Sequence, residues 1–126
     1  VTPPEELPVY ERMGEAGIAE LVRGFYARVP MDPILGPMYR QDDLAGAELR
    51  LREFLVYRFG GPPRYLQARG HPRLRGRHMP FAIDQAARDR WMQLMGESIA
   101  SAGLPGDLAR YVENFLGDIA TFLINR

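Results

Sequence analysis

The apolar positions of the chain fall into four long helical stripes. Ile18, Leu21, Val22, Phe25, Tyr26 and Val29 follow one another at steps of 3, 1, 3, 1 and 3, the buried face of an amphipathic helix. Pro30 and Pro33 end it, because a proline nitrogen has no hydrogen to give the helical ladder. A compact connector with Ile34, Leu35, Met38 and Tyr39 leads to a second pattern from Leu44 to Phe59, whose stripe is Leu44, Ala47, Leu51, Phe54, Leu55 and Val56. Gly60-Gly61-Pro62-Pro63 terminates this helix, since glycine accepts a positive φ and the prolines cannot extend the ladder. Asp84 is the expected N-cap of a third helix that puts Ala87, Trp91, Leu94, Met95, Ser98, Ile99 and Ala102 on one face, and Gly103 and Pro105 close it. Asp107 stands in the first turn of a fourth, where the helix dipole favours an acid, and Leu108, Val112, Phe115, Leu116, Ile119 and Leu123 form its stripe. No segment alternates as a strand does. The expected fold is all-α, four long helices in two antiparallel pairs with a loop-rich segment between them.

Length and composition narrow the classes. The 126 residues make one domain, 1–126, with no internal repeat. A chain of this size buries roughly two-thirds of its unfolded surface, enough for a core without covalent staples. It has no cysteine, which excludes disulfide frameworks, zinc–thiolate fingers, thiol catalysis and thioether attachment of a cofactor. The formal net charge is zero, which argues against a dedicated polyanion binder. No apolar run approaches the roughly 20 residues of a membrane span. The start Val1-Thr2-Pro3-Pro4-Glu5-Glu6 has neither the basic nor the apolar part of a signal peptide, so a cytoplasmic location is expected.

One segment departs from scaffold. From Phe54 to Ile83 there is no Asp or Glu, yet the stretch holds Arg58, Arg64, Arg69, Arg73, Arg75, Arg77 and both histidines. Uncompensated arginines in a neutral protein mean an anionic ligand, a nucleic-acid patch or a solvated face. The run His71-Pro72-Arg73-Leu74-Arg75-Gly76-Arg77-His78-Met79-Pro80-Phe81 brackets a helix of about two turns, with Pro72 at its first position and His78 at its end. In that place the last-turn carbonyls can accept the His78 ring N–H and leave the other nitrogen to bind a metal. A purely structural histidine is the commoner alternative. His71, outside the short helix, reads as a cap or loop side chain. One histidine is too few for a zinc or non-haem iron site, which needs three or more protein ligands. Haem brings four ligands of its own and is commonly held through one histidine, with carboxylates that suit nearby arginines. Its flat faces need apolar contacts, which Leu51, Phe54, Leu55, Leu74, Met79 and Phe81 can supply, though each is equally good core.

The same residues resemble the truncated haemoglobins of the second group, the O-type. The resemblance rests on Phe25-Tyr26, on Tyr39 to Glu48, on Phe54-Leu55 with Gly60-Gly61-Pro62, and on Tyr65. It continues through Gly70-His71-Pro72-Arg73-Leu74-Arg75, Arg77-His78-Met79-Pro80-Phe81 and Asp89-Arg90-Trp91, covers most of residues 14 to 126, and leaves 1–13 as an N-terminal extension. It implies a truncated-globin two-over-two helical sandwich around non-covalent haem b (iron protoporphyrin IX), with His78 as the proximal iron ligand. It further implies a distal polar cluster of Tyr26, Tyr39 and Trp91, and contacts to the haem propionates from Arg50, Tyr65, Arg75 and Arg77. Ala47 stands where larger globins place a distal histidine, and its small size suits a side entrance for ligands.

The function so implied is binding of dioxygen, nitric oxide, carbon monoxide or peroxide. Three distal donors would hold oxygen strongly, which suits nitric oxide dioxygenase-like or peroxidase-like chemistry with a separate reductase better than bulk oxygen transport. No nucleic acid, no membrane, and a monomer or weak homodimer complete the expectation. Two other readings stand beside it. One is a haem-based gas-sensing or interaction module with a partner chain; the other is a haem-free, arginine-rich nucleic-acid-binding domain whose affinity falls steeply with salt.

Overall fold

The computed structural model describes residues 7–126. Residues 1–6, the first part of the expected extension, lie outside the described residues. Six helices follow in order: α1 (Val9–Arg28), α2 (Leu44–Arg58), α3 (Arg64–Arg69), α4 (Leu74–His78), α5 (Gln85–Ala102) and α6 (Gly106–Phe122). Three short 3₁₀ turns, Val29–Met31, Gly36–Met38 and Gln41–Asp43, link α1 to α2. Helix α1 packs against both α2 and α5, and α5 packs in turn against α6.

The predicted stripes make the core. Ile18, Leu21, Val22, Phe25 and Val29 are fully buried, and they meet Phe54, Leu55, Leu94, Met95, Ile99, Leu108, Val112 and Leu116 in one cluster. Helix α2 is graded: Phe54, Leu55 and Val56 are buried, whereas Leu44, Ala47 and Leu51, earlier on the same stripe, are only half-buried. Its first half therefore presents an apolar face that the core does not consume.

The helix ends use the expected chemistry. Asp84 accepts the Ala87 N–H at 2.8 Å, and Gly103 closes α5 with φ 68°. Asp107 in the first turn of α6 pairs with Arg12 of α1 at 2.9 Å. Past α2, the Gly61 N–H donates to the Val56 carbonyl at 2.8 Å. A Cβ on Gly61 would lie 2.6 Å from the Tyr10 ring and 2.8 Å from Val56, so close approach demands glycine there. The Tyr10 N–H in turn donates to the Phe59 carbonyl at 2.8 Å, which ties the first turns of α1 to the end of α2.

Two elements differ from the sequence reading. The loop-rich middle contains α3, anchored by Arg64, which pairs with Glu53 at 2.8 Å and with Glu15. The short helix before Pro80 is also one turn rather than two. Arg73 is left-handed (φ 45°, ψ 46°), its N–H donates to His71 Nδ1 at 3.1 Å, and α4 starts only at Leu74. The imidazole thus closes a local turn where Pro72 was expected to open a helix. His71 is a loop side chain, as its place before Pro72 suggested.

Candidate functional site

His78 is the last residue of α4 and is half-buried. Its Nδ1 lies 2.6 Å from the Leu74 carbonyl oxygen, an acceptor only, so Nδ1 carries the proton and donates. Nε2 is left with its lone pair and has no hydrogen-bond partner among the described residues. The His78 carbonyl accepts the Phe81 N–H at 3.0 Å and the Asn125 side-chain amide at 3.2 Å, so the residue is held at backbone and ring alike.

The Phe81 ring lies near that of His78, with centroids 6.4 Å apart. Phe54 and Leu55 are buried, Tyr65 is buried edge-on to Phe54 with ring centroids 5.6 Å apart, and Leu51 and Leu74 are half-buried. Met79 and Phe81, next in chain to His78, are 47% and 44% exposed. Large apolar side chains left open beside an oriented imidazole mark a surface shaped for a ligand rather than for water. Among the described residues no group of three or more His, Cys, Asp or Glu could hold a bare metal ion. A metal carried in a flat organic ring of its own ligands fits this donor set, because it asks the chain for one nitrogen and apolar walls.

A second cluster gathers Tyr26 from α1, Tyr39 from the connector and Trp91 from α5. The Trp91 indole N–H donates to the Tyr39 hydroxyl at 3.3 Å, and the Tyr26 and Tyr39 rings meet edge-on at 5.8 Å. Phe25 supports Trp91 with ring centroids 4.9 Å apart. Burial pushes the Tyr26 phenol well above its ordinary value, and the neighbouring Tyr39, to which it donates, pushes the same way. Burial raises Tyr39 as well, against the hydrogen bonds it receives from Trp91 and Tyr26. Both remain neutral hydroxyls at physiological pH.

The arginines are less free than their sequence suggests. Arg58 lies over the Phe115 and Phe54 rings, Arg69 over Tyr65, and Arg64 is paired with two carboxylates. Arg75 donates to the carbonyls of Phe122 at 2.5 Å and Ile124 at 3.2 Å, and Arg77 to those of Pro72 at 2.7 Å and Arg69 at 3.1 Å. Five of the six are thus engaged by their own chain, but only Arg64 meets carboxylates; Arg58, Arg69, Arg75 and Arg77 rest on rings or main-chain carbonyls and stay exposed with their charge. Arg50, on α2, donates to Asp43 at 2.7 Å.

Two positions escaped the sequence reading. Asp32 is buried, and it accepts the N–H groups of Ile34 and Leu35 and the Arg90 guanidinium. The Asp-Pro step after a helix was a turn signal that pointed to Asp32. Asn125 accepts the Ile83 N–H at 2.9 Å and donates to the carbonyls of His78 and Phe81, a role no periodicity announces.

The bacterial-like globin family model matches residues 8–122, which makes this a globin of two-over-two helical fold. The chain is 35% identical to the group 2 truncated haemoglobin YjbI of Bacillus subtilis, over 93% of this chain and 88% of that protein. It therefore belongs to the group 2 truncated haemoglobins. Among solved structures it is similar to the haemoglobin of Chloroflexus aurantiacus, with TM-score 0.91 and 40% identity over 96% of this chain and 100% of that one. The truncated oxygen-avid haemoglobin of Bacillus subtilis follows, with TM-score 0.90 and 34% identity over 94% and 100%. Among the described residues no helix is long and apolar enough to cross a membrane.

Proposed function

We propose that the chain is a single-domain b-type haem protein that takes His78 Nε2 as its iron ligand and uses Tyr26, Tyr39 and Trp91 to hold diatomic ligands. Haem, when bound, supplies an iron with an open coordination position for dioxygen, nitric oxide, carbon monoxide or peroxide. The observation that carries the reading is the 2.6 Å bond from His78 Nδ1 to the Leu74 carbonyl, which fixes the tautomer and leaves Nε2 available beside an apolar surface. Leu51, Phe54, Leu55, Tyr65, Leu74, Met79 and Phe81 supply the walls. Arg50, Arg75 and Arg77 are the cations proposed to meet the propionates; Arg50, already on a carboxylate, shows the pairing chemistry that role needs.

Trp91 can only donate, and its 3.3 Å bond to Tyr39 is at the long, weak end of the range, so little is lost when its N–H donates to a ligand in the pocket instead. Tyr39 then has its own hydroxyl proton to give, and Tyr26 supports it. Donors favour a ligand that gains negative charge over one that stays neutral, so oxygen is held more firmly, relative to carbon monoxide, than in an apolar pocket. The similar Bacillus subtilis protein is described as oxygen-avid. Firm retention suits redox chemistry on oxygen, nitric oxide or peroxide, served by a separate reductase in the cytoplasm, better than bulk transport. The formal net charge of zero counts against a dedicated nucleic-acid face.

Oxygen release after rapid mixing tests the reading. If each effective donor contributes about 1.5 kcal/mol, Trp91→Phe and Tyr39→Phe each speed release roughly tenfold. The double variant falls short of the product, because the two residues share one network. Release unchanged in both variants would remove the distal assignment.

A further inference from the structure

Asp32 is the one buried carboxylate among the described residues. Its Oδ2 accepts the N–H groups of Ile34 at 3.0 Å and Leu35 at 2.8 Å, and its backbone carbonyl accepts that of Gly36 at 2.9 Å. Its Oδ1 accepts the Arg90 Nε–H at 2.5 Å. The carboxylate thus sets the turn that begins the connector and bolts that turn to α5. The connector then continues by short-range bonds, Met38 N–H to the Leu35 carbonyl at 2.9 Å and Tyr39 N–H to the Gly36 carbonyl at 3.3 Å.

Arg90 is the chain neighbour of Trp91, and Trp91 donates to Tyr39. A closed ring results: α5, Arg90, Asp32, the turn, Tyr39, Trp91 and back to α5. The ion pair is its stiff side, charge-assisted and almost fully shielded at Asp32. The indole–phenol bond at 3.3 Å is its soft side. Any slack in the first appears in the second.

We infer that the Asp32–Arg90 pair is a positioning device that sets the separation of Trp91 and Tyr39, and so fixes how strongly the cluster donates to a bound ligand. The inference rests on the distal reading above and deepens it. Neither Asp32 nor Arg90 needs to touch ligand or cofactor. The depressed Asp32 carboxyl, raised by burial but lowered further by Leu35, Arg90 and Ile34, stays ionised at neutral pH. The device is therefore permanently engaged rather than a pH switch.

The test compares Arg90→Gln, Arg90→Lys and Asp32→Asn with Trp91→Phe, all as haem-loaded protein. Two readouts serve: oxygen release, and the indole N–H resonance of the sole tryptophan in the nitrogen-labelled carbon monoxide form. The expected result is that Arg90→Gln and Asp32→Asn each speed oxygen release about three- to tenfold and shift the indole resonance. Combining them adds little, and Arg90→Lys recovers part of the loss. Folded Arg90→Gln and Asp32→Asn proteins with parental release and an unmoved indole resonance would overturn the inference, while a fast Trp91→Phe left the distal reading standing. Parental release in both Trp91→Phe and Tyr39→Phe would overturn the distal reading and the inference with it.

Discussion

His78 Nδ1 and the Leu74 carbonyl oxygen lie 2.6 Å apart across the single turn of α4. That bond spans nearly the whole helix, so the orientation of the ring depends on a turn too short to be stable alone. Its support comes from elsewhere. Arg75 grips the end of α6 through the carbonyls of Phe122 and Ile124, and Asn125 reaches back to the carbonyls of His78 and Phe81. The histidine is oriented locally and anchored remotely.

The anchoring gives the first prediction. Asn125→Ala removes two donated bonds and the acceptor of the Ile83 N–H at once. Haem transfer from the variant to an excess of apomyoglobin is expected to run several-fold faster than from the parent, with the absorption spectrum little changed. An unaltered transfer rate would show that α4 needs no such strap.

A second prediction concerns alkaline pH. Tyr26 and Tyr39 are both raised, Tyr26 by burial and by Tyr39, Tyr39 by burial. A raised phenol favours the folded state fully below the ordinary value of about 10, and that contribution is lost as pH climbs through the raised folded value. Titration followed at the tyrosinate absorbance is expected to show two late protons, one lost in Tyr26→Phe and one in Tyr39→Phe. Both phenols ionising in the ordinary range would contradict the buried cluster.

The helices and their caps were legible because a 3.6-residue period and a few capping residues act locally. Ile18 through Val29, the Asp84 cap and Gly103 sit as their spacing implied. The one-turn α4 was misread because Pro72 at a first helical position is only a preference. The actual turn depends on the His71 imidazole taking the Arg73 N–H, a side-chain choice the pattern does not encode. The contacts of the middle arginines were not legible because their partners, among them Glu15, Phe115 and Phe122, are distant in sequence. His78, Tyr26, Tyr39 and Trp91 were singled out through the family resemblance more than through spacing, and Asp32, Arg90 and Asn125 matter only once tertiary contacts exist.

A third prediction separates two glycines. A Cβ at Gly61 would meet the Tyr10 ring and Val56 well inside contact distance, whereas at Gly96, inside α5, it meets nothing within 4 Å. Gly61→Ala is expected to lower stability by about 1–3 kcal/mol through overpacking. Gly96→Ala should raise it by up to about 1 kcal/mol through helix propensity. Urea midpoints at fixed haem loading measure both. Equal midpoints for the two variants would contradict the close seating of Tyr10 on the end of α2.

The central claim is that His78 holds haem. It is tested most directly by absorption spectra of the purified protein titrated with haem, ferric and dithionite-reduced, beside His78→Gly with and without imidazole. One equivalent bound by the parent, with a ferrous histidine-ligated spectrum that the variant loses and added imidazole restores, is the expected result. A His78→Gly protein with the parental haem stoichiometry and an unchanged spectrum would place the ligand elsewhere and contradict the proposed site.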